Sequence, residues 1–192
     1  MRVGIFGYGL AARVFHAPLA KFAGFEIVAI QTSNSERIAQ ANSDFPSAAI
    51  CSSAEELLSH NLDLVIVASI NTAHEANAKA AIDAGVAVVV DKPMATTLAG
   101  TRELFNYAES KNVPITVFFN RLWDSDTLTI KDLLANKPEL IGKPFRFDGR
   151  FERFRPDLNA QSWREQLTPQ QGGGLLLDLQ SHLISTAIDC FG

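Results

Sequence analysis

A carboxylate and an imidazole stand four residues apart near the end of the chain, at Asp178 and His182. Residues at this spacing share one face of a helix, and the neighbouring leucines and isoleucines argue against a wet surface helix. Such a pair can hold a hydroxyl group and accept its proton. The alternative is a structural Asp–His pair in the core. The glycines at 172–174 would let the start of the helix approach a ligand or another backbone closely.

A lysine follows the apolar run at 86–90, within the tripeptide Asp91-Lys92-Pro93. The run predicts a strand of a parallel sheet, and ligands of such sheets bind beyond the carboxyl ends of the strands. Lys92 should therefore lie at a ligand site, where a neighbouring cationic ring would destabilise its ammonium form. The alternative is an ordinary turn that Pro93 stiffens.

The segment Gly7-Tyr8-Gly9-Leu10-Ala11-Ala12 follows a predicted strand and opens a predicted helix. In this context, G-x-G-x-x-A indicates a dinucleotide site. Gly7 would make the tight turn, Gly9 would admit the pyrophosphate, and Ala12 would allow close packing of helix on strand. The helix N-terminus then offers free amides to the phosphates. The alternative is a glycine turn without a ligand.

The end of the second predicted strand reads Gln31-Thr32-Ser33-Asn34-Ser35-Glu36-Arg37 and has no carboxylate at the position that usually holds the ribose 2′-hydroxyl of NAD. Thr32 and Ser33 are small hydrogen-bond donors, and Arg37 is close enough to neutralise a 2′-phosphate. We therefore expect NADP, with NAD as the second possibility. Ser33 or Asn34 could also cap the next helix while Arg37 points into water, and the two interpretations are compatible.

Two further histidines lie near the predicted cofactor site. His16 follows the glycines by about one turn and is predicted to line the site, and His74 lies in the first turn of a helix near it. The two cysteines, Cys51 and Cys190, are far apart and form neither a disulfide framework nor a zinc pattern. No His/Cys/Asp cluster is tight enough to predict a metal site.

Short strands alternate with helices through residues 1–119, which predicts a doubly wound parallel sheet of the Rossmann type, an α/β fold. Thr72 and Glu75 have the spacing of a helix-capping box. The predicted strands are at 2–6, 26–30, 63–68, 86–90 and 115–119, and the helices at 54–59, 72–84 and 97–110.

The pattern changes in residues 120–192, which we interpret as the start of an α+β substrate domain. Helices are predicted at 124–134 and 175–191. Between them, Phe145, Phe147 and Phe151 alternate with charged residues through 143–155. This period of two is typical of an antiparallel strand with one face in water.

The composition excludes several classes of protein. With 192 residues, 47% of them hydrophobic and 20% charged, the chain is neither disordered nor of low complexity. The net charge of −4 argues against a nucleic-acid partner. Because no stretch approaches the ~20 apolar residues of a membrane span, we expect a soluble, cytoplasmic protein.

In this order, the four motifs resemble those of the Gfo/Idh/MocA family of nicotinamide-dependent sugar and cyclitol oxidoreductases. The carrying segments are GYGLAARVFHAP, VIVASINTAHEANAKAAIDAGVAVVVDKPMA, VFFNRLWDSD and GGGLLLDLQSHL. The chain looks most like the branch that includes NADP-dependent scyllo-inositol dehydrogenases. Asp91-Lys92-Pro93 stands where the family has its Glu/Asp-Lys-Pro motif, and Asp178 and His182 stand where it has its helix pair.

The resemblance implies catalytic roles for three residues. Lys92 would hydrogen-bond the reacting hydroxyl, and His182, helped by Asp178, would accept its proton while hydride leaves for the nicotinamide. The resemblance also implies residues that touch cofactor or substrate. For the cofactor these are Gly7, Gly9, Leu10, Ala11, Ala12, Thr32, Ser33, Arg37, Ser69, Asn71, His74, Lys92 and Asn120. For a polyol or sugar substrate they are His16, Lys92, Arg121, Trp163 and His182.

The chain departs from the family pattern in two respects. Gln180 stands where the family usually has glycine, so its side chain either crowds the pocket or points away. Family members also run longer, so we expect an incomplete second domain here, and a homo-oligomer formed through that domain's sheet in the full-length protein. The rival interpretations are a non-catalytic dinucleotide-binding or regulatory member of the family, and an inactive fragment.

Overall fold

Six parallel strands form one sheet in the order β3-β2-β1-β4-β5-β6. This is the strand order of the Rossmann fold, whose direction of winding reverses between β1 and β4. The predicted α/β fold is thus confirmed. The strands are β1 (Arg2–Phe6), β2 (Glu26–Gln31), β3 (Ala49–Cys51), β4 (Leu64–Val67), β5 (Ala87–Asp91) and β6 (Ile115–Phe118).

The computed structural model describes residues 1–152, 154, 156–157 and 163–192, except for the side chains of residues 163 and 164. The chain divides into two compact units, Met1–Phe118 and Phe119–Gly192.

Helices cover both faces of the sheet in the first unit. One buried cluster includes Phe6, Val65 and Val88, and the other includes Ile5, Tyr8 and Ile30. Because both faces are covered, the strands read as continuous apolar runs. The helices are α1 (Ala17–Phe22), α2 (Ser35–Asp44), α3 (Ala54–Leu58), α4 (His74–Asp83) and α5 (Leu98–Ser110).

The capping box predicted at Thr72 does not form. Residues Asn71–Ala73 make a 3₁₀ turn, so α4 begins only at His74, and no side chain caps it. Glu75 instead packs against α5, where a Cβ on Gly100 would meet its carboxylate oxygen at 2.6 Å. The tight turn after β4 therefore overrides the local capping signal.

All regular secondary structure in the described residues of the second unit is helical. It contains α6 (Ser125–Asn136), α7 (Pro138–Ile141), α8 (Trp163–Gln166) and α9 (Ser181–Phe191). A π-helical turn, Leu176–Gln180, leads directly into α9. Across the described residues of both units, no helix has the length and apolar character that a membrane span requires.

The strand predicted at 143–155 is wrong for the described residues of that segment, because 143–152 has no regular secondary structure. Positions 153 and 155 lie outside the described residues. A strand needs backbone partners, and the described part of the second unit has no strand to supply them. The predicted burial of one face is also absent from these residues: Phe145, Phe147 and Phe151 are all exposed, although the Phe147 ring lies 5.5 Å from that of Phe191. Arg146 pairs with Asp148 at 2.6 Å.

Candidate functional site

Gly7 makes a turn that no other residue could make without strain. Its φ is +84°, and a Cβ there would lie 2.7 Å from the Ser69 Cα and 2.8 Å from the Ala68 carbonyl oxygen. Its amide donates to the Gln31 carbonyl at 2.8 Å. The turn is therefore wedged between the ends of β2 and β4, at the point where the winding of the sheet reverses.

Gly9 leaves open space at the same edge. The nearest atoms to a Cβ on Gly9 would be those of the Arg37 guanidinium, at 3.8–3.9 Å, which is ordinary van der Waals contact. Leu10 and Ala11 are already helical, and the Arg13 amide donates to the Gly9 carbonyl at 3.0 Å. Ala12 is fully buried. A bare backbone, the N-terminal amides of a helix and a guanidinium thus face one cradle, which suits an anionic phosphate ligand.

Asn34 caps α2, and Arg37 extends toward the glycine turn. The Asn34 side chain accepts a hydrogen bond from the Arg37 amide at 3.0 Å, and the Arg37 guanidinium lies beside Gly9. Thr32 is buried, with its amide donating to the Cys51 carbonyl at 3.2 Å, whereas Ser33 is exposed. The cap and the charged side chain therefore coexist, as the sequence allowed.

Tyr8, Arg13 and Asp44 form a cluster that sequence patterns did not reveal. The Tyr8 hydroxyl and the Arg13 Nε both donate to Asp44 Oδ2, at 2.9 and 2.8 Å. The Arg13 and Tyr8 hydrogen bonds hold the pKa of Asp44 below its usual value. Burial and the Asp44 carboxylate raise the pKa of Tyr8. The cluster fastens the end of α2 to the glycine turn, and only the spacing of Tyr8 and Arg13 around Gly9 could have hinted at it.

The Asp91-Lys92-Pro93 turn follows β5, and Lys92 is half-buried there. The Lys92 amide donates to Asp91 Oδ1 at 2.8 Å, and the Lys92–Pro93 peptide bond is cis. This position is the carboxyl edge of β5, where the sequence placed Lys92.

His16 is buried beneath this turn, and the substrate contact predicted for it stays a prediction. Only 3% of it is accessible. Its ring lies 4.2 Å from that of Phe118, and its Nε2 lies 3.8 Å from Asp91 Oδ2. Burial of Asp91 opposes its ionisation, but His16, the Lys92 amide and His74 outweigh that effect and lower the pKa of Asp91. The position gives His16 a supporting role under Asp91.

His74 is also buried, with 1% of its surface accessible. Its Nδ1 lies 2.8 Å from the Pro93 carbonyl oxygen and its Nε2 lies 3.1 Å from the Ser69 carbonyl oxygen. The Ser69 hydroxyl accepts from Asn77 Nδ2 at 3.1 Å, and Asn71 is buried in the adjoining 3₁₀ turn. Both ring nitrogens of His74 thus face main-chain carbonyl oxygens, and the cofactor contact predicted for it stays a prediction.

The second unit carries Asp178 in the π-helical turn and His182 at the start of α9. Asp178 is half-buried and His182 is 6% accessible. The His182 ring stands edge-on to Phe151 at 6.2 Å. The Gln180 side chain is exposed, so within this unit it points away from the packed face of α9.

The glycines before this turn bring two backbones together, as predicted. A Cβ on Gly173 would collide with the Leu167 carbonyl oxygen, which excludes any side chain there. Asn120 and Arg121 lie in a 3₁₀ turn, where Arg121 pairs with Asp124 at 2.8 Å and lies over the Phe151 ring. Trp163 begins α8, and its side chain lies outside the described residues.

Two family models match the chain. The model of an oxidoreductase family with an NAD-binding Rossmann fold matches residues 1–119, and the model of the GFO/IDH/MocA C-terminal domain matches residues 127–192. The chain belongs to the Gfo/Idh/MocA oxidoreductase family. The family that the motifs resembled is thereby confirmed.

Gfo/Idh/MocA relatives match the whole chain. It is 42% identical over 194 residues to the uncharacterized oxidoreductase YdgJ of Escherichia coli K12, covering all of this chain and 54% of that protein. It is 36% identical over 194 residues to the scyllo-inositol 2-dehydrogenase (NADP(+)) IolW of Bacillus subtilis 168, and the match covers all of this chain and 52% of that protein. The solved structure of the YPO2259 putative oxidoreductase from Yersinia pestis superposes with a TM-score of 0.86 at 36% identity. The superposition covers all of this chain and 52% of that one.

The chain spans about half the length of these Gfo/Idh/MocA relatives. Its first unit is an NAD(P)-binding Rossmann domain by family and by fold. The residues present fit such a cofactor, because Gly9 leaves open the space that a Cβ would fill and Arg37 borders it. Among the described residues, no group of three or more His, Cys, Asp or Glu side chains is arranged to hold a metal ion.

Proposed function

We propose that the protein carrying this chain transfers hydride between NADP(H) and a secondary alcohol or ketone of a sugar- or cyclitol-like substrate. The observation that carries the proposal is the edge of the first unit, where an open glycine cradle and Lys92 lie at the carboxyl ends of β1 and β5. Similarity to the IolW dehydrogenase along the whole chain favours an inositol-like substrate.

Arg37 supports the choice of NADP over NAD. Its guanidinium lies 3.8 Å from the position that a Gly9 Cβ would occupy, and among the described residues no carboxylate pairs with it. A guanidinium binds a phosphate through charge-assisted hydrogen bonds, whereas the 2′-hydroxyl of NAD offers no such charge. Thr32 and Ser33 would complete that end of the site.

Binding would use the same edge of the sheet. Gly7 and Gly9 would bring backbone amides to the pyrophosphate, and the helix that begins at Leu10 would add its N-terminal amides. Ser69, Asn71 and Asn120 would contact the ribose and nicotinamide end. When bound, the nicotinamide supplies the hydride acceptor or donor.

The chain's own residues would handle the proton. Lys92 would hydrogen-bond the reacting oxygen and hold it near the cofactor. His182, oriented by Asp178, would accept the hydroxyl proton during oxidation and return it during reduction. Arg121 and Trp163 would line the substrate side, and His16 would contribute through its position under Asp91.

Lys92→Ala tests the proposed function. We expect the natural protein to reduce NADP⁺ with a polyol such as an inositol, and the variant to lose turnover by about a hundredfold or more, the usual scale for removing a group that acts on the reacting proton. NADPH affinity, measured by fluorescence titration, should change by less than about threefold. Lys21→Ala, an exposed lysine in α1, is the matched control and should keep full turnover.

The same titrations separate the rival interpretations. Unchanged turnover in Lys92→Ala contradicts the assigned role of Lys92. A wild-type protein that binds NADPH but turns over no polyol or sugar would instead support a non-catalytic member of the family.

Arg37→Gln tests the choice of cofactor. Removing one charge-assisted contact costs about 1.5–3 kcal/mol, or roughly ten- to a hundredfold in affinity. We expect NADPH binding to weaken by that factor while NADH binding stays within about twofold. Arg102→Gln, on the exposed face of α5, is the control. Tighter binding of NADH than NADPH by the wild type would overturn the assignment.

A further inference from the structure

His74 connects the two loops that leave neighbouring strands at the carboxyl edge of the sheet. The Ser69 carbonyl belongs to the loop after β4, and the Pro93 carbonyl to the turn after β5. β4 and β5 pair directly in the sheet. One buried imidazole therefore spans two main-chain segments, and one of them adjoins Lys92.

The chemistry of the two contacts is directional. Carbonyl oxygens only accept hydrogen bonds, so each contact requires a ring N–H, and only an imidazolium can donate to both oxygens at once. The contact at Nδ1 is the shorter, 2.8 Å to Pro93 against 3.1 Å to Ser69. The Pro93 contact acts on the residue that follows Lys92, whereas the Ser69 contact acts on the other loop.

We propose that His74 is a positioning residue that fixes the main chain of the Lys92 turn through its Nδ1–Pro93 hydrogen bond. This inference rests on the proposed function insofar as Lys92 contacts the reacting hydroxyl. A shift of about 1 Å in a positioned group can cost on the order of a hundredfold in rate. His74 thus acts on turnover through Lys92, without touching cofactor or substrate itself.

Two amide substitutions separate the contacts. Asparagine places an amide nitrogen as many bonds from Cα as Nδ1, so His74→Asn can keep the donor to Pro93. Glutamine reaches as far as Nε2, so His74→Gln can keep only the donor to Ser69. We expect kcat to stay within about threefold of wild type in His74→Asn and to fall by about tenfold or more in His74→Gln. NADPH affinity should stay within about threefold in both.

Amide hydrogen exchange reports how firmly the main chain of the Lys92 turn is held, and it needs no measurement of turnover. The amides of residues 92, 94 and 95, in the cofactor-free protein, should exchange faster in His74→Gln than in His74→Asn. If the wild type turns over no substrate but this order holds, the proposed function fails and the positioning role stands. If the wild type is active but the two variants share the same kcat and the same exchange, the positioning role fails alone.

A measurement on the wild-type protein does not depend on whether any variant folds. A buried ring N–H bonded to a carbonyl exchanges slowly with solvent, so nitrogen-correlated NMR should show a protected Nδ1 proton for His74. Rapid exchange of that proton would overturn the proposal.

Discussion

Two glycines of one motif differ in what surrounds them. Gly7 is required by the fold, because its φ is positive and a Cβ there would meet the main chain of Ala68 and Ser69, directly after β4. At Gly9 the fold itself would accept a Cβ, because the nearest atoms would be those of the Arg37 guanidinium at 3.8–3.9 Å. The requirement for glycine at this position is therefore proposed to come from the ligand.

Alanine at each position should separate the two roles. We expect Gly7→Ala to lower the free energy of unfolding by at least ~2 kcal/mol, since a left-handed backbone and a 2.7 Å approach to the Ser69 Cα are both unfavourable. Gly9→Ala should change it by less than ~0.5 kcal/mol but weaken NADPH binding by about tenfold or more. Urea unfolding and fluorescence titration measure the two quantities.

Gly7→Ala is expected to change stability, and Gly9→Ala is expected to change NADPH affinity, so each variant is the control for the other. A stable Gly7→Ala protein would contradict the wedge between β2 and β4. Undiminished NADPH affinity in Gly9→Ala would contradict the placement of the phosphates at the glycine cradle.

Sequence patterns predicted which residues lie at the site better than what each one touches. Gly7, Arg37 and Lys92 lie at the edge where the motifs placed them. The partners of His16 and His74 could not be predicted, because Asp91 and Pro93 come from a distant part of the chain. The sequence around a histidine near a motif is the same whether its ring faces a ligand or a main-chain carbonyl.

At the level of elements, α2 is held in place at both of its ends. Asn34 caps its start, and Asp44 at its end accepts hydrogen bonds from Tyr8 and Arg13. Since α2 also carries Arg37, this clamp sets where the guanidinium can reach. The side chains of Tyr8, Arg13 and Asp44 thereby fix the position of α2 relative to the glycine turn. The helix propensity of α2 does not set this position.

Asp44→Asn should reveal this clamp through its pH dependence. The pKa of Asp44 is lowered in the fold by the hydrogen bonds of Arg13 and Tyr8, so its stabilisation is present above the unfolded pKa of about 4 and is lost as the pH falls through the lower folded value. We expect the variant to lose about 1 kcal/mol of stability at neutral pH, the upper range for a partly exposed pair.

Stability curves from pH 2 to 7 provide the check. The difference between wild type and Asp44→Asn should shrink toward zero at the acidic end, while Glu109→Gln, an exposed carboxylate on α5, should show no such trend. A difference that is constant across the range would mean that the ionised carboxylate is not what fastens α2.

The strands of the sheet were predicted well, with one omission. The runs at 63–68 and 86–90 are apolar on both faces, and they became β4 and β5 within one residue at each end. β3 was not predicted because it has only three residues, Ala49–Cys51, and forms by pairing with β2. Short strands depend on their neighbour more than on their own pattern.

At the scale of the whole molecule, the proposed chemistry is shared between two units. Lys92 belongs to Met1–Phe118, whereas Asp178 and His182 belong to Phe119–Gly192. The chain spans about half of its curated relatives. A homo-oligomer formed through the sheet of the second domain therefore stays a prediction, as does the substrate.

By itself, the sequence determined the family and the Rossmann sheet and placed the candidate site at one edge of that sheet, because these follow from periodicity and from motifs whose residues are close together in the chain. The tertiary structure alone decided the contacts of His16, His74 and Asp44. It also decided that residues 143–152 form no strand. Each of these outcomes depends on partners far away in sequence, and local patterns carry no information about which distant backbone or side chain will arrive.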